Sequence, residues 1–249
     1  MSRRPRQVVV LAGGLATRLG ERAAAVPKYL LPVADRPFAH WQLERIAASR
    51  FASVLLCIGH LGEAIRTALG DGRRWGLRLT YVADGPEPLG TGGALRAALP
   101  RLEPTFVVTY GDSYLPFDYR GPLEDLNAHP EAQGTMAVYP NAGRFDRSNT
   151  QVIGDRVAAY DKTSQGDERP ELDCIDYGAT ALRRSAIEQL PPGPSELSTL
   201  QADLAAAGQL RAFAVAERFY EIGSETGLAE LDALLRTSPS DLGIGDRTP

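Results

Sequence analysis

Two adjacent glycines, an arginine and a Pro-Lys pair lie between apolar runs in "VVVLAGGLATRLGERAAAVPKYLLPV", residues 8–33. Glycine lets a chain turn with no Cβ in the way, so the amides of Gly13, Gly14 and the residues after them can point at phosphate oxygens. Arg18 offers those oxygens a planar fork, and Lys28 a compact positive charge where a phosphoryl group would be attacked. The stretch matches neither G-x-G-x-x-G nor G-x-x-x-x-G-K-[ST], so the common dinucleotide and P-loop signatures are absent from it. Further on, "ADGPEPLGTGGAL" (83–95) has Gly90, Gly92 and Gly93, which bring main chain close to a flat ligand where a helix starts. In "VVTYGDSYL" (107–115) Asp112 follows a buried strand and a glycine, and a carboxylate there can hold Mg2+, which prefers oxygen ligands and keeps several waters.

Such residues need a scaffold that gathers them. "QVVVLA" (7–12) is a short apolar run ending at Gly13, as suits a strand buried on both faces. Pro37 opens a helix through "FAHWQLERIAASR"; "SVLLCIG" (53–59) reads as a strand, "LGEAIRTALG" (61–70) as a helix and "LRLTYVA" (77–83) as a third strand. A helix over 91–100, stopped by Pro100, and a strand over 105–115 continue the alternation. That order predicts an α/β fold, a Rossmann-like three-layer α/β/α arrangement with a mixed, mostly parallel central sheet. In such sheets ligands collect at the carboxyl ends of the strands, where the Gly-Gly loop, the 83–95 loop and Gly111-Asp112 should meet. From about residue 134 the strand candidates shorten: "GTMAVYP", a hairpin turning at Gly154-Asp155, "CIDYGATALRR" and "LRAFAVAERFYEIG", with helices at "LSTLQADLAAAG" and "SETGLAELDALLR". We expect a single domain over 1–236, with a nucleotide half (about 1–133), an acceptor half (134–236) and a flexible tail over 237–249.

Composition narrows the partners. A net charge of -4 speaks against a nucleic-acid-coating protein, so an anion site should be local. No stretch approaches the roughly 20 apolar residues that cross a bilayer, and the basic start "MSRRPRQ" reads as a tail feeding the first strand; no membrane partner is expected. Cys57 and Cys174 form no CxxC and lie in apolar, strand-like stretches, which predicts reduced buried thiols and a cytoplasmic location.

The run "LAGGLATRLGERAAAVPKYLLPVADRPF" resembles the signature of the sugar-1-phosphate nucleotidylyltransferases, and the likeness extends over residues 8 to about 236. It implies a Mg2+-dependent enzyme that moves a nucleotidyl group from a nucleoside triphosphate to a sugar 1-phosphate and releases pyrophosphate. The nucleotide-binding positions it implies are Leu11, Ala12, Gly13, Gly14, Leu89, Gly90 and Thr91. Arg18, Lys28, Asp112 and Lys162 would be catalytic, Arg18 on the departing pyrophosphate, Lys28 on the α-phosphate and Lys162, in "RVAAYDKTSQ", on the acceptor phosphate. Asp176, Tyr177 and Gly178 of "CIDYGATAL" would bind the sugar beside Lys162. The metal would sit on Asp112 and Glu221 of "RFYEIGSETGL"; many members carry aspartate at the second place, and glutamate moves the oxygens by one C–C bond, about 1.5 Å. The branch most similar in feel uses heptose or mannose 1-phosphate with guanosine nucleotides. A phosphocholine or amino-sugar phosphate nucleotidyltransferase of the same layout, and a non-catalytic nucleotide-sugar-binding paralogue, are the alternatives. A monomer or a homodimer is compatible with the sequence.

Overall fold

The computed structural model of the chain describes residues 7–14, 26–85, 87–162, 169 and 171–237. Arg18 and residues 1–6 lie outside these, as does the tail expected over 237–249 except for Thr237. Strand β1 (Gln7–Ala12) precedes a two-residue hairpin, β2 (Pro32–Val33) and β3 (Arg36–Pro37), then helix α1 (Phe38–Ala48), β4 (Ser53–Ile58), α2 (Gly62–Leu69), β5 (Arg78–Ala83) and α3 (Gly90–Ala98). Next come β6 (Thr105–Tyr110), β7 (Ser113–Tyr114), α4 (Arg120–Ala128), β8 (Gly134–Pro140), the β9 (Thr150–Ile153) and β10 (Arg156–Tyr160) hairpin, and β11 (Cys174–Arg183). The chain continues through α5 (Arg184–Glu188), α6 (Leu197–Ala206), β12 (Leu210–Ala214), β13 (Tyr220–Glu221) and α7 (Glu225–Thr237).

Nine strands share one sheet in the order β5-β4-β1-β6-β11-β8-β12-β10-β9. β5, β4, β1 and β6 are mutually parallel, β11 runs antiparallel to β6 and β8, and β12 returns parallel to β8. The fold is thus mixed α/β with a mostly parallel central sheet, as the alternation predicts. Strand periodicity explains the layers: Val8 and Val10 of β1 face one core with α1, α2, α4 and α7, while Val9 and Leu11 face the other with α3, α5 and α6. Both cysteines are free and buried. Among the described residues no helix is long and apolar enough to cross a membrane.

Some boundaries differ from the sequence reading. The expected strand over 105–115 breaks at Gly111-Asp112 into β6 and β7, because the chain leaves the sheet there and Gly111 N–H reaches back to Leu11 O, at 2.9 Å. The run from 210 likewise breaks into β12 and β13, and Pro100 sits inside a 3-10 turn after α3 rather than at its end. Pro37 flanks α1 with φ -54° and ψ 134°, extended backbone, so the helix starts one residue later. The Gly154-Asp155 hairpin is present, with Gly154 at φ +63° as a primed turn requires.

Arg211 on β12 ties three elements: its Nε donates to Asp125 of α4 at 2.9 Å and its Nη1 to Asp155 in the hairpin turn at 2.7 Å, with only 7% of its side chain exposed. Arg211→Ala strands the Asp125 carboxylate and should cost about 3 kcal/mol, most of it from the Asp125 leg because Asp155 is water-exposed. Urea denaturation reads this as a lowered midpoint; an unchanged midpoint would show that the pair contributes nothing.

Candidate active site

Four parallel strands end together. β1 leads into Gly13-Gly14, β4 into Gly59, β5 into Asp84 and β6 into Gly111-Asp112. With about 4.8 Å between neighbours, the line from the end of β5 to the end of β6 runs roughly 14 Å, the scale of a nucleotide from base to phosphates. A cleft of ≈ 430 Å³ opens along it. Close approach makes glycine necessary here: a Cβ on Gly13 would lie 3.1 Å from Gly59 N, and one on Gly59 would lie 2.8 Å from Gly13 O.

At the β6 end the charges converge. Lys28 stands on a 3-10 turn whose next residue, Tyr29, is buried with its ring edge-on to Phe38. Anchored so, Lys28 Nζ donates to Asp112 Oδ2 at 2.6 Å across 84 residues of sequence. Lys162 Nζ lies 4.6 Å from the centroid of the Tyr110 ring, on the same side. Tyr110 keeps its proton: burial, then Asp176, Asp112, Glu196 and Glu221, hold its hydroxyl well above the ordinary range. Glu221 reaches the same place because β13 pairs with β7, with Ile222 N–H donating to Asp112 O at 2.9 Å. Its carboxylate keeps a water-exposed side but is otherwise crowded by protein. That crowding, followed by Asp112 and Asp146 and against the pull of Lys162 and Lys28, raises its pKa to about 7.

The opposite end is shaped by the loop before α3. Leu11, Ala12, Gly13, Gly14, Gly90 and Thr91 line the cleft; Leu89 flanks it through its backbone. Gly90, Gly92 and Gly93 have a role the sequence reading missed, since a Cβ at each would strike the 193–196 segment, at 2.5 Å from Ser195 O for Gly90 and 2.6 Å from Gly193 O for Gly93. Gly92 and Gly93 N–H both donate to Ser195 O, and Thr91 Oγ1 donates to Glu196 Oε2 at 2.7 Å. The glycines therefore seat a distant strap on the start of α3. Asp84, Glu196 and Tyr110 also line the cleft and escaped the sequence reading, Glu196 because its partner Thr91 is 105 residues away. Burial raises the Asp84 pKa, offset in part by the hydrogen bond its carboxylate accepts from Leu89 N–H. The same burial, with Asp84 nearby, pushes the Cys57 thiol up to about 12.

The acceptor strand is placed differently from its neighbours. Asp176 accepts hydrogen bonds from Tyr160 Oη at 3.1 Å and Gly178 N at 3.0 Å, within a register break of β11 where Gly178 has φ +94°. Tyr177 is 1% exposed, its ring packed against Phe117 and Phe219. None of Asp176, Tyr177 and Gly178 lines the cleft that Lys28, Asp112 and Lys162 share.

The raised Glu221 carboxyl has a testable sign. Its pKa goes from an ordinary 4.5 to about 7 on folding, so the native chain binds the proton more tightly and this group's contribution to stability falls as pH rises from about 4.5 to about 7. In protein freed of metal with EDTA, Glu221→Gln should melt above wild type at pH 8, the gap closing towards pH 4.5; a gap of equal size at both pH values would contradict it.

Residues 8–190 match the MobA-like NTP transferase domain. The chain is 30% identical over 190 residues to a mannose-1-phosphate guanylyltransferase of Mycobacterium tuberculosis, covering 74% of this chain and 51% of that protein. It is 31% identical over 156 residues to a D-glycero-alpha-D-manno-heptose 1-phosphate guanylyltransferase of Aneurinibacillus thermoaerophilus, covering 62% of this chain and 66% of the other. The chain thus spans about half to two thirds of the length of these relatives. In structure it is similar to HddC of Yersinia pseudotuberculosis, at 23% identity and a TM-score of 0.74 over 92% of this chain and 99% of that one. By the match over 183 of its 249 residues, running from β1 through α5, this chain belongs to the MobA-like NTP transferase domain family.

Proposed function

We propose that the cleft transfers a nucleotidyl group from a nucleoside triphosphate to a sugar 1-phosphate. The observation that carries this reading is the meeting of Lys28, Lys162 and Asp112 at the end of β6, with the glycine loop before α3 lining the same cleft. A phosphate monoester oxygen of the acceptor attacks the α-phosphorus in line; the new P–O bond forms as the bond to the bridging oxygen of pyrophosphate breaks. The attacking dianion is nucleophilic already, so the chain has to position and neutralise rather than form a covalent intermediate.

Lys28 takes the α-phosphate and Lys162 the acceptor phosphate, while Arg18, outside the described residues, would hold the departing pyrophosphate. Leu11 to Gly14 take the nucleotide, with the Gly13 and Gly14 amides towards its phosphates, and Leu89 to Thr91 take the base. A divalent cation fits the residues present. Four carboxylates, Asp84, Asp112, Glu196 and Glu221, stand in or beside the cleft against Lys28 and Lys162 among the described residues, an acid excess that would repel a triphosphate arriving without counter-ions. Asp112 and Glu221, paired oxygen donors with room for water, would hold Mg2+. Bound there, Mg2+ would supply charge neutralisation to phosphate oxygens.

Guanosine triphosphate with a heptose or hexose 1-phosphate is the substrate pair we favour, in keeping with the names of the two guanylyltransferase relatives. HddC has been solved with GMP-PN, which bears on nucleotide binding in that protein and supports the same base here. We assign residues 1–133 to the nucleotide and 134–236 to the sugar phosphate, a division that would fall between β6 and β11 in the sheet.

Purified protein with Mg2+, four triphosphates and a panel holding mannose, glucose and D-glycero-D-manno-heptose 1-phosphates should yield a nucleoside-diphosphate sugar by mass spectrometry. Lys28→Ala should lose at least about 10³-fold in kcat while keeping the wild-type urea midpoint. A turnover near wild type in that variant would sink the assignment.

A further inference from the structure

Of the 27 basic side chains in the sequence only two are lysines, Lys28 and Lys162, and both line the nucleotide cleft. Arginine fills every other basic position, so the compact ammonium charge is confined to the cleft. The two lysines are held by opposite means. Lys28 is held by a carboxylate, with Nζ 2.6 Å from Asp112 Oδ2. Lys162 forms no ion pair among the described residues; its Nζ lies over the Tyr110 ring, 4.6 Å from the centroid.

Acids stand close by, and they are engaged elsewhere. Asp161, next to Lys162 in the chain, pairs with Arg169 at 3.2 Å. Asp176, the carboxylate felt most strongly at the Tyr110 hydroxyl, accepts Tyr160 Oη on one oxygen at 3.1 Å and Gly178 N–H on the other at 3.0 Å. The second of these bonds forms within the register break of β11, where Gly178 turns at φ +94°. Asp112 is taken by Lys28, and Glu221 feels the pull of Lys162 without closing to an ion pair. A carboxylate seated on Lys162 would cancel its charge, and an arriving phosphate would have to displace it. A neutral ring instead attracts the ammonium face-on, restrains its flexible four-carbon stem and leaves N–H donors open on the side away from the ring. Tyr110 stays neutral because burial and the surrounding acids keep its phenol protonated. Its place is fixed by β6, which ends at this residue, and by packing against the core on the α3 and α6 side of the sheet.

We propose that Tyr110 is the positioning residue for Lys162: its ring seats the ammonium, Tyr160 and Gly178 keep the Asp176 carboxylate from pairing with it, and the whole charge goes to the acceptor phosphate. That the anion is an acceptor phosphate rests on the nucleotidyl-transfer reading; the seating of Lys162 does not. Asp176 and Tyr160 serve the acceptor through Lys162.

Two readouts separate the two ideas. With only two lysines in the chain, protein labelled with 13C-lysine gives two ε-methylene signals, and Lys28→Ala identifies the one from Lys162. Ring current should hold that signal upfield in wild type and in Tyr110→Phe, which keeps the ring, and Tyr110→Leu should return it towards the free-lysine position. An unshifted signal in wild type overturns the inference, whatever the protein turns over. In steady-state assays with the three sugar 1-phosphates named above, Tyr110→Leu should raise the acceptor KM about tenfold and leave the triphosphate KM within about twofold, with Tyr110→Phe close to wild type in both. An unchanged acceptor KM in Tyr110→Leu, or an equal loss in Tyr110→Phe, overturns the inference and leaves transfer standing. Tyr160→Phe releases one Asp176 oxygen and should raise the acceptor KM about fivefold; adding Asp176→Asn should restore it, which a merely structural Tyr160 would not allow. Failure to restore it overturns the part given to Tyr160 and Asp176. No product from wild type overturns the transfer reading, and the lysine signal then tests the seat alone. Matched urea midpoints show that the losses are local, and the wild-type signal and the Tyr160 pair carry the test if Tyr110→Leu does not fold.

Discussion

The contact between Lys28 and Asp112 is the constraint on which the arrangement turns. It joins the segment after the Gly-Gly loop to the end of β6, and it exists only because β1 and β6 are neighbours in a parallel sheet. Both partners keep water contact, with 18% and 34% of their side chains exposed, so the pair contributes little to holding the fold together. Its value is positional. An ammonium and a carboxylate are held at one point before any ligand arrives, and an incoming phosphate can take the ammonium and leave the carboxylate to a cation.

Holding that point requires Lys28 and Glu221 to be fixed relative to one another, and helix α7 does this. Asp232 accepts Ala34 N–H at 2.6 Å, and Arg236 bridges to Asp35 at 2.6 Å and to Asp232 at 2.7 Å. Ala34 and Asp35 form the turn of the β2–β3 hairpin, both at positive φ, four residues after the 3-10 turn that presents Lys28. The helix that begins just beyond Glu221 thereby clamps the segment carrying Lys28. At the other end, the 193–196 strap performs the same service for the base loop. Elements distant in sequence thus brace each end of the cleft.

How much of this the sequence reveals depends on whether the cause is local. β1, β4 and β6 are apolar runs ending in glycine, and the parallel rule brings their ends together, so the meeting of Gly13 and Asp112 is legible without coordinates, whereas Lys28 joins them in the reading only through the resemblance. Helix α4 is not: "RGPLEDLNA" mixes proline, charge and asparagine, and it is helical because Leu123 and Leu126 pack under the sheet. Gly90, Gly92 and Gly93 signal a close approach, but local sequence cannot say that the approaching chain is residues 193–196. Tyr177 beside Gly178 resembles a ligand-binding pair, and only the packing shows its ring enclosed by Phe117 and Phe219. A cavity of ≈ 420 Å³ joins the loop after β8 to the run from β13 into α7, some seventy residues further along the chain, so no stretch of sequence announces it.

The stereochemical course at the α-phosphorus tests the central claim most directly. With a nucleoside triphosphate made chiral at that atom by sulfur substitution, one in-line displacement between Lys28 and Asp112 predicts inverted configuration in the nucleoside-diphosphate sugar. Retention would demand two displacements through a nucleotidyl-protein intermediate, and would contradict the account.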